Sequence, residues 1–275
     1  MTSLPPFRGR ATMTGRTAMK PGPTLALLAA LAFLAPLTAT LPAAAQRDID
    51  PAGEYASCMT LVHRDPDAAF ESAMAWRDFG GGAPARHCVA LALLALGQSA
   101  EAATRLEALA QEITDDARPL RAELFGQAGL AWLEAGQAER ADAVLSAAVK
   151  LDPDNPELWI DRAQALAARG AYRDAIDDLS RAIELAPERA DAHAFRASAY
   201  RFVDSLDRAA ADIERALTLA PRDPVALLER GNIRRLAGDA AGARSDWVQV
   251  LAEAPDTPPA DAARANLERL DVKVE

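Results

Sequence analysis

The chain has 275 residues, and its 30 Lys and Arg residues against 40 Asp and Glu give it a formal charge of -10 at pH 7. Half of its residues are hydrophobic, so it can build a packed core and is not a wholly disordered chain. The acidic balance argues against nucleic-acid binding, because such proteins need a basic face to neutralise phosphates.

The first 45 residues differ in character from the rest. They carry basic residues but no acidic residue, and an apolar run extends over residues 25–37. Residues 41–46, with the sequence LPAAAQ, place small side chains at the positions that a signal peptidase recognises. These features predict a secretory signal peptide over residues 1–45. The alternative is an uncleaved membrane anchor, although a span needs about 20 apolar residues and Pro36 interrupts this run.

Cleavage would remove only positive charges and leave a more acidic chain. We therefore expect an exported protein, periplasmic or secreted, without stable membrane insertion once the signal peptide is removed. The Ala- and Arg-rich composition suggests a bacterial source.

Five prolines recur at intervals of 34 residues, at Pro119, Pro153, Pro187, Pro221 and Pro255. In the frame that they set, with proline at position 32, small residues recur at positions 8, 20 and 27, and a large apolar residue occupies position 24. Repetition at a fixed period of this length is typical of repeat proteins. We expect each of these prolines to stop the second helix of its unit, because proline cannot continue a helix.

Each 34-residue unit is predicted to contain two helices. A residue suited to a left-handed turn lies near the middle of the unit, where the first helix can end: Gly136, Gly170, Asp204 and Gly238. Small residues at fixed positions let the two helices approach closely, and the large residue at position 24 fills the space between them. A single pair cannot bury its own apolar face, so successive pairs must stack.

This pattern resembles the tetratricopeptide repeat (TPR) family over four consecutive units, at residues 122–155, 156–189, 190–223 and 224–257. The resemblance implies an all-α fold, a right-handed superhelix of stacked helix-turn-helix hairpins. Residues 46–121 are predicted to form degenerate N-terminal hairpins. Residues 258–275 are predicted to form a capping helix and tail, because terminal repeats need a polar outer face.

Two oppositely charged positions recur in the last three units. Position 7 is occupied by Arg162, Arg196 and Arg230, and position 23 by Asp178, Asp212 and Asp246. We predict that these residues form an Arg–Asp ladder, within each unit or between neighbours, that stabilises the register of the stack. The alternative is that both sets are solvated and unrelated.

The two cysteines, Cys58 and Cys88, are predicted to form a disulfide, because disulfides persist in exported proteins. A zinc site with His63 and His87 is the alternative, but neither spacing matches a common zinc motif. A reactive thiol would need a nearby base and a lowered pKa. We predict no metal and no cofactor.

The resemblance also implies a binding surface, because first-helix positions 2, 5, 9, 12 and 13 commonly line the concave groove of TPR proteins. The residues that we predict to line it here are Leu130, Leu133, Glu157, Ile160, Gln164, Ser198, Arg201, Asn232 and Arg235. Arg201 and Arg235 share position 12 in adjacent units and could hold a carboxylate. The Lys/Asn clamp of chaperone-binding members is not matched, so their mode of recognition does not carry over.

The predicted function is that of a non-enzymatic scaffold or adaptor that binds a partner protein or peptide in this groove. One alternative is an accessory subunit of an envelope assembly or proteolysis complex that binds through its flanks. Another is a thiol- or metal-dependent activity at the N-terminal Cys and His residues.

Overall fold

A computed structural model describes residues 50–271, and the predicted signal peptide lies outside these residues. The described residues form α-helices and one short 3-10 turn, without a strand. The helices are α1 (Pro51–Arg64), α2 (Pro66–Asp78), α3 (Gly82–Ala95), α4 (Ser99–Glu112), α5 (Arg118–Glu134), α6 (Ala138–Leu151), α7 (Pro156–Ala168), α8 (Tyr172–Leu185), α9 (Ala190–Phe202), α10 (Leu206–Leu219), α11 (Pro224–Leu236), α12 (Ala240–Glu253) and α13 (Pro258–Asp271). Within this described segment, no helix combines the length and apolar character needed to cross a bilayer.

Successive helices pair into antiparallel hairpins that stack along the chain, and the predicted all-α superhelical repeat fold is confirmed. The middle of each TPR-like unit is a left-handed residue, with φ of 70° at Gly136, 78° at Gly170 and 88° at Gly238. Asp204 has φ of 57° and is the one residue other than glycine with positive φ in the described segment. A short polar side chain tolerates this conformation better than a bulky one.

The two helices of a unit approach closely where position 8 is small. A Cβ added at Gly129 would overlap the side chain of Leu145, and one added at Gly231 would overlap the ring of Trp247. Leu145 and Trp247 both occupy position 24 and are fully buried. The small residue and the large residue are therefore two halves of one contact between helices.

One of the five prolines has a different role from the one that we expected. Pro119 is the second residue of α5, whereas the other four lie in the connections between hairpins. Proline is tolerated there because the first amides of a helix need no intrahelical partner. The prediction that Pro119 ends a helix is therefore wrong. As a result α5 has 17 residues, against 13 or 14 in every other described α-helix.

The structure brings the three Arg and Asp pairs of the predicted ladder together, each within its own unit. Each guanidinium donates through Nε and Nη2 to its carboxylate, with shortest N–O distances of 2.6 Å (Arg162–Asp178), 2.7 Å (Arg196–Asp212) and 2.8 Å (Arg230–Asp246). All three Asp side chains are buried. Burial raises the pKa of Asp178 even though Arg162 donates to it, so removal from water has a real cost for this carboxylate.

The same arginines also reach the preceding unit. Their Nη1 atoms approach the residue at position 25 of the unit before, at 3.5 Å for Arg162 and Ser146, 3.0 Å for Arg196 and Ser180, and 3.4 Å for Arg230 and Glu214. Each arginine therefore joins three helices, two in its own hairpin and one in the preceding hairpin. The ladder fixes both the closure of a unit and its register on its neighbour.

A disulfide joins Cys58 of α1 to Cys88 of α3, with a Cα–Cα distance of 6.3 Å. Both cysteines are buried in the apolar cluster that also contains Val62, Ala73 and Leu93. The bond closes a loop with a sequence separation of 30, which restricts the unfolded chain. It ties the first degenerate hairpin to the second.

Candidate functional site

The first helices of successive hairpins pack against each other along one face of the stack. α1 packs on α3, α5 on α7, α7 on α9, α9 on α11, and α11 on α13, whereas the second helices of successive hairpins have no comparable packing in residues 50–271. The first helices are therefore closer together than the second helices, and they line the inner side of the curved stack. We call the face that they form the inner groove.

Arg201 does not offer its charge to a ligand in the inner groove. Its Nε donates to Glu229 Oε1 at 2.5 Å, and its Nη2 donates to Glu229 Oε2 at 3.2 Å and to Ser198 Oγ at 3.4 Å. Both side chains of the ion pair are largely buried between α9 and α11. The prediction that Arg201 holds a partner's carboxylate is wrong, because Glu229 already neutralises it.

A polar network continues from this pair along the groove. The Glu229 carboxylate also accepts from Asn232 Nδ2 at 3.2 Å, and Asn232 Oδ1 accepts from Asn266 Nδ2 at 2.9 Å. The network connects α9, α11 and α13. It positions α9 and α11, the first helices of the last two units, and the capping helix α13.

Next to this network lies a recess of about 220 Å³, lined by Arg235, Asn266, Arg269 and Leu270. We call it the two-arginine recess. The Arg235 and Arg269 side chains are both exposed, and neither makes an ion pair with any residue in the described part of the chain. The predicted groove residue Arg235 therefore lies beside Arg269 of α13. Arg201, which the prediction placed with Arg235, is paired with Glu229 instead.

The middle of the inner groove is acidic. Arg189 donates to Glu157 at 3.0 Å and to Asp191 at 2.6 Å, so the predicted groove residue Glu157 is engaged in an ion pair. Asp161, one turn after Glu157 on α7, lies within the field of both carboxylates. Burial and the charge of Glu157, with a smaller contribution from Asp191, raise the pKa of Asp161 to about 7 against the opposing effect of Arg189.

The remaining predicted groove residues differ in exposure. Leu130 is 42% exposed, and Gln164 and Ser198 line a shallow recess beside the stacked rings of Tyr172 and Phe202. Leu133 is half-buried. Ile160 is 2% exposed and packs in the core of its unit, so the prediction that it lines the groove is wrong. Its side chain is apolar and its helix turns it toward α8 and α9 instead.

A cavity with a volume of about 470 Å³ lies at the N-terminal end of the inner groove. It is lined by residues of four helices and by Ile113, which follows α4. The helical residues are Pro51, Ala52 and Tyr55 of α1; Ala83, Pro84 and His87 of α3; Leu109 of α4; and Leu120, Glu123, Leu124 and Gln127 of α5. We call it the apolar pocket. Its size is in the range of ligand sites, about 300–1,000 Å³.

A chain of hydrogen bonds crosses the polar side of the apolar pocket. Tyr55 Oη lies 2.7 Å from His87 Nδ1, His87 Nε2 lies 2.6 Å from Gln127 Oε1, and Gln127 Nε2 lies 3.3 Å from Glu123 Oε1. Because the Gln127 oxygen only accepts, His87 Nε2 donates to it, and in the neutral imidazole Nδ1 accepts from the Tyr55 hydroxyl. Burial, and secondarily the charge of Glu123, raise the pKa of Tyr55.

This pocket is not visible in the repeat pattern, because most of its lining residues precede the first regular 34-residue unit, which begins at residue 122. The longer connection after α4 and the early start of α5 are the two departures that form it. The arrangement of the Cys and His side chains does not support the alternatives of a reactive thiol or a metal site. The two sulfurs are bonded to each other, both His87 nitrogens are engaged, and no group of three or more His, Cys, Asp or Glu side chains in residues 50–271 is arranged to hold a metal.

Comparison with known families agrees with this architecture. The fold defines the chain as an all-α superhelical repeat protein. Within it, residues 129–199 match the tetratricopeptide repeat family model. A comparison with curated protein sequences finds no match.

Several solved structures share the fold. The APC/C hetero-tetramer Cut9–Hcn1 aligns with a TM-score of 0.65 at 16% identity, covering 81% of this chain and 43% of that one. TTC0263, a thermophilic TPR protein of Thermus thermophilus, has a TM-score of 0.57 at 20% identity, covering 69% and 98%. YrrB, a TPR protein with an unusual peptide-binding site, has a TM-score of 0.52 at 18% identity, covering 65% and 90%. Identities this low establish the fold alone.

Proposed function

We propose that this protein is a non-enzymatic scaffold that binds an extended segment of a partner protein in its inner groove. TPR proteins act as protein-interaction scaffolds, and YrrB, which shares the fold, has a peptide-binding site. The observation that carries the proposal is the two-arginine recess at the C-terminal end of the groove. There Arg235 and Arg269 leave two guanidinium groups exposed to solvent beside the Asn266 amide.

The chemistry of the recess selects for a carboxylate. Guanidinium groups donate paired N–H bonds to carboxylate oxygens, and charge-assisted bonds of this kind are stronger than neutral ones. The charge of Arg201 is already paired with Glu229 in the network that leads to Asn266, so this network positions α11 and α13 and leaves charged recognition to Arg235 and Arg269. The proposed partner therefore presents an acidic segment to this end of the groove.

The proposed location is the periplasm or the outside of the cell, after cleavage of the signal peptide at residues 1–45. The Cys58–Cys88 disulfide supports it, because such bonds persist in oxidising compartments. The mass of the protein recovered from its natural cells tests the cleavage. A mass that still includes residues 1–45 would contradict it.

The groove is tested by reversing the charge of the recess. We expect the double variant Arg235→Glu/Arg269→Glu to bind a blocked acidic peptide, acetyl-Gly-Asp-Glu-Asp-Glu-Gly-amide, at least about tenfold more weakly than the wild-type chain, because two charge-assisted contacts become repulsive. Titration calorimetry at low and at physiological salt measures the effect.

A matched control separates local contacts from net charge. Arg173→Glu/Arg208→Glu makes the same change in charge at exposed positions on the second helices α8 and α10. It should leave the affinity for the acidic peptide within about twofold, because exposed charges farther away than a Debye length of about 8 Å are screened. Equal losses in the two double variants would overturn the role of the recess.

A further inference from the structure

We infer that the apolar pocket anchors a bulky apolar side chain of the partner and pairs with a basic residue next to it. This inference rests on the proposed function, because the pocket opens on the inner face formed by α1, α3 and α5. It adds a second site, at the opposite end of the described chain from the two-arginine recess, and it names the chemistry of the partner there. All of its lining residues precede the stretch 129–199 that matches the family model.

The pocket exists because one pair of first helices is separated. α5 packs extensively on α4, and the packing that joins the other neighbouring first helices is lacking between α3 and α5. The hydrogen bond from His87 to Gln127 bridges the space between these two helices at one level. Leu109 of α4 lines the pocket behind them, so the separation leaves a cavity with an apolar interior.

The apolar lining requires an apolar occupant. Leu109 and Leu124 are 3% exposed, whereas Leu120 is 47% exposed. An exposed leucine next to a cavity of about 470 Å³ is covered when a bulky side chain enters. Burial of apolar surface on both partners favours binding by about 25 cal/mol per Å² before the costs of association.

The charge at the pocket requires a cation beside that apolar group. Glu123 is the one charged residue in its lining, and the Glu123 carboxylate is exposed. It accepts one long hydrogen bond, 3.3 Å from Gln127, which leaves most of its acceptor capacity available. The other polar side chains in this series of hydrogen bonds, Tyr55 and His87, are hydrogen-bonded to each other. A lysine or arginine next to the apolar side chain complements this arrangement.

Three blocked peptides and the full chain test the inference by fluorescence polarisation. The probe is acetyl-Gly-Leu-Phe-Lys-Gly-amide with a dye at its end, and its partners replace Lys by Glu or replace Leu-Phe by Ala-Ala. We expect the first peptide to bind with a dissociation constant below about 1 mM, and the other two at least about tenfold more weakly. No detectable binding of the first peptide at that concentration overturns the inference.

Two variants assign the binding to the pocket. Ala83→Trp places a large ring in the cavity and should abolish binding, whereas Glu123→Gln should remove the preference for Lys over Glu and keep the preference for Leu-Phe over Ala-Ala. Binding that Ala83→Trp leaves unchanged overturns the inference. If Ala83→Trp unfolds the chain, as judged by circular dichroism, then Leu120→Ser at an exposed position takes its place and should weaken binding about threefold or more.

The experiments can refute the apolar pocket and the two-arginine recess independently of each other. Arg235→Glu/Arg269→Glu should bind the Leu-Phe-Lys peptide as the wild-type chain does. If that peptide fails to bind while the acidic peptide still depends on Arg235 and Arg269, then the pocket inference is wrong and the proposed groove function stands. If the acidic peptide shows no such dependence while the Leu-Phe-Lys peptide binds, then the two-arginine recess is wrong and the pocket stands.

Discussion

Replacing Arg196 with methionine is expected to lower the free energy of unfolding by about 3–5 kcal/mol, because it leaves a buried carboxylate without its principal partner. Arg196 donates to Asp212 at 2.7 Å and 2.8 Å and to Ser180 of the preceding unit at 3.0 Å. The side chains of the ion pair are largely buried. A single truncation therefore breaks both the closure of one unit and its contact with its neighbour.

A double-mutant cycle measures the coupling between the two charges. The variants are Arg196→Met, Asp212→Leu and the combination, with stability from urea unfolding followed by circular dichroism. We expect the combination to be less destabilising than Arg196→Met alone, because a buried apolar pair leaves no charge without a partner. The coupling free energy should be about 2 kcal/mol or more.

The exposed ion pair between Arg215 and Glu188, at 3.1 Å, is the matched control. It also joins neighbouring parts of the repeat array, but both of its side chains are exposed to water. Its coupling should stay below about 1 kcal/mol, as is usual for surface pairs. If the Arg196–Asp212 coupling were no larger than that of the control, the ladder would have no role in cohesion.

The ladder shows how much of the stack could be predicted from the sequence. Arg at position 7 and Asp at position 23 are 16 residues apart in three successive units, and a hairpin with a fixed turn brings these positions together. The turn itself was predictable, because glycine in three units, and Asp204 in the other, occupies the left-handed position. Repetition makes such pairs visible, since each occurrence supports the next.

Contacts that occur once could not be predicted in this way. The partner of Arg201 is Glu229, 28 residues away, and no other unit repeats this combination of position 12 and position 6. The apolar pocket depends on a separation between α3 and α5 that follows from a longer connection and an early helix start. The sequence did not show which helix α5 packs against.

The acidic middle of the groove leads to a second prediction with a large effect, at Asp161. The pKa of this carboxyl is raised to about 7 by burial and by the neighbouring charge of Glu157, so the folded protein holds a proton there that the unfolded chain releases near pH 4. Between pH 4 and pH 7 the folded state binds more protons than the unfolded state. The free energy of unfolding therefore falls as the pH rises through this window.

Asp161→Asn should remove this dependence, because an amide resembles the protonated acid and does not ionise. We expect the variant to match the wild-type stability at pH 4 and to exceed it by about 2–4 kcal/mol at pH 8, where the wild-type carboxyl is charged in both states. Urea unfolding at intervals of one pH unit measures the difference. Parallel stability profiles for the two proteins from pH 4 to pH 8 would show that Asp161 is not perturbed in the fold.

Asp191→Asn is the control from the same patch with the opposite sign. Arg189 holds the pKa of the Asp191 carboxyl below its usual range, so the stability that this group contributes is present above pH 4 and is lost as the pH falls through its lowered pKa. Asp191→Asn should therefore destabilise the protein at both pH 5 and pH 8, somewhat less at pH 8 because the Asp191 charge contributes to the raised pKa of Asp161, while the benefit of Asp161→Asn grows over that interval. The two Asp→Asn substitutions should change the free energy of unfolding in opposite directions. The reason is that Arg189 is paired with Asp191 and Glu157, whereas Asp161 has no cationic partner of its own in the described residues.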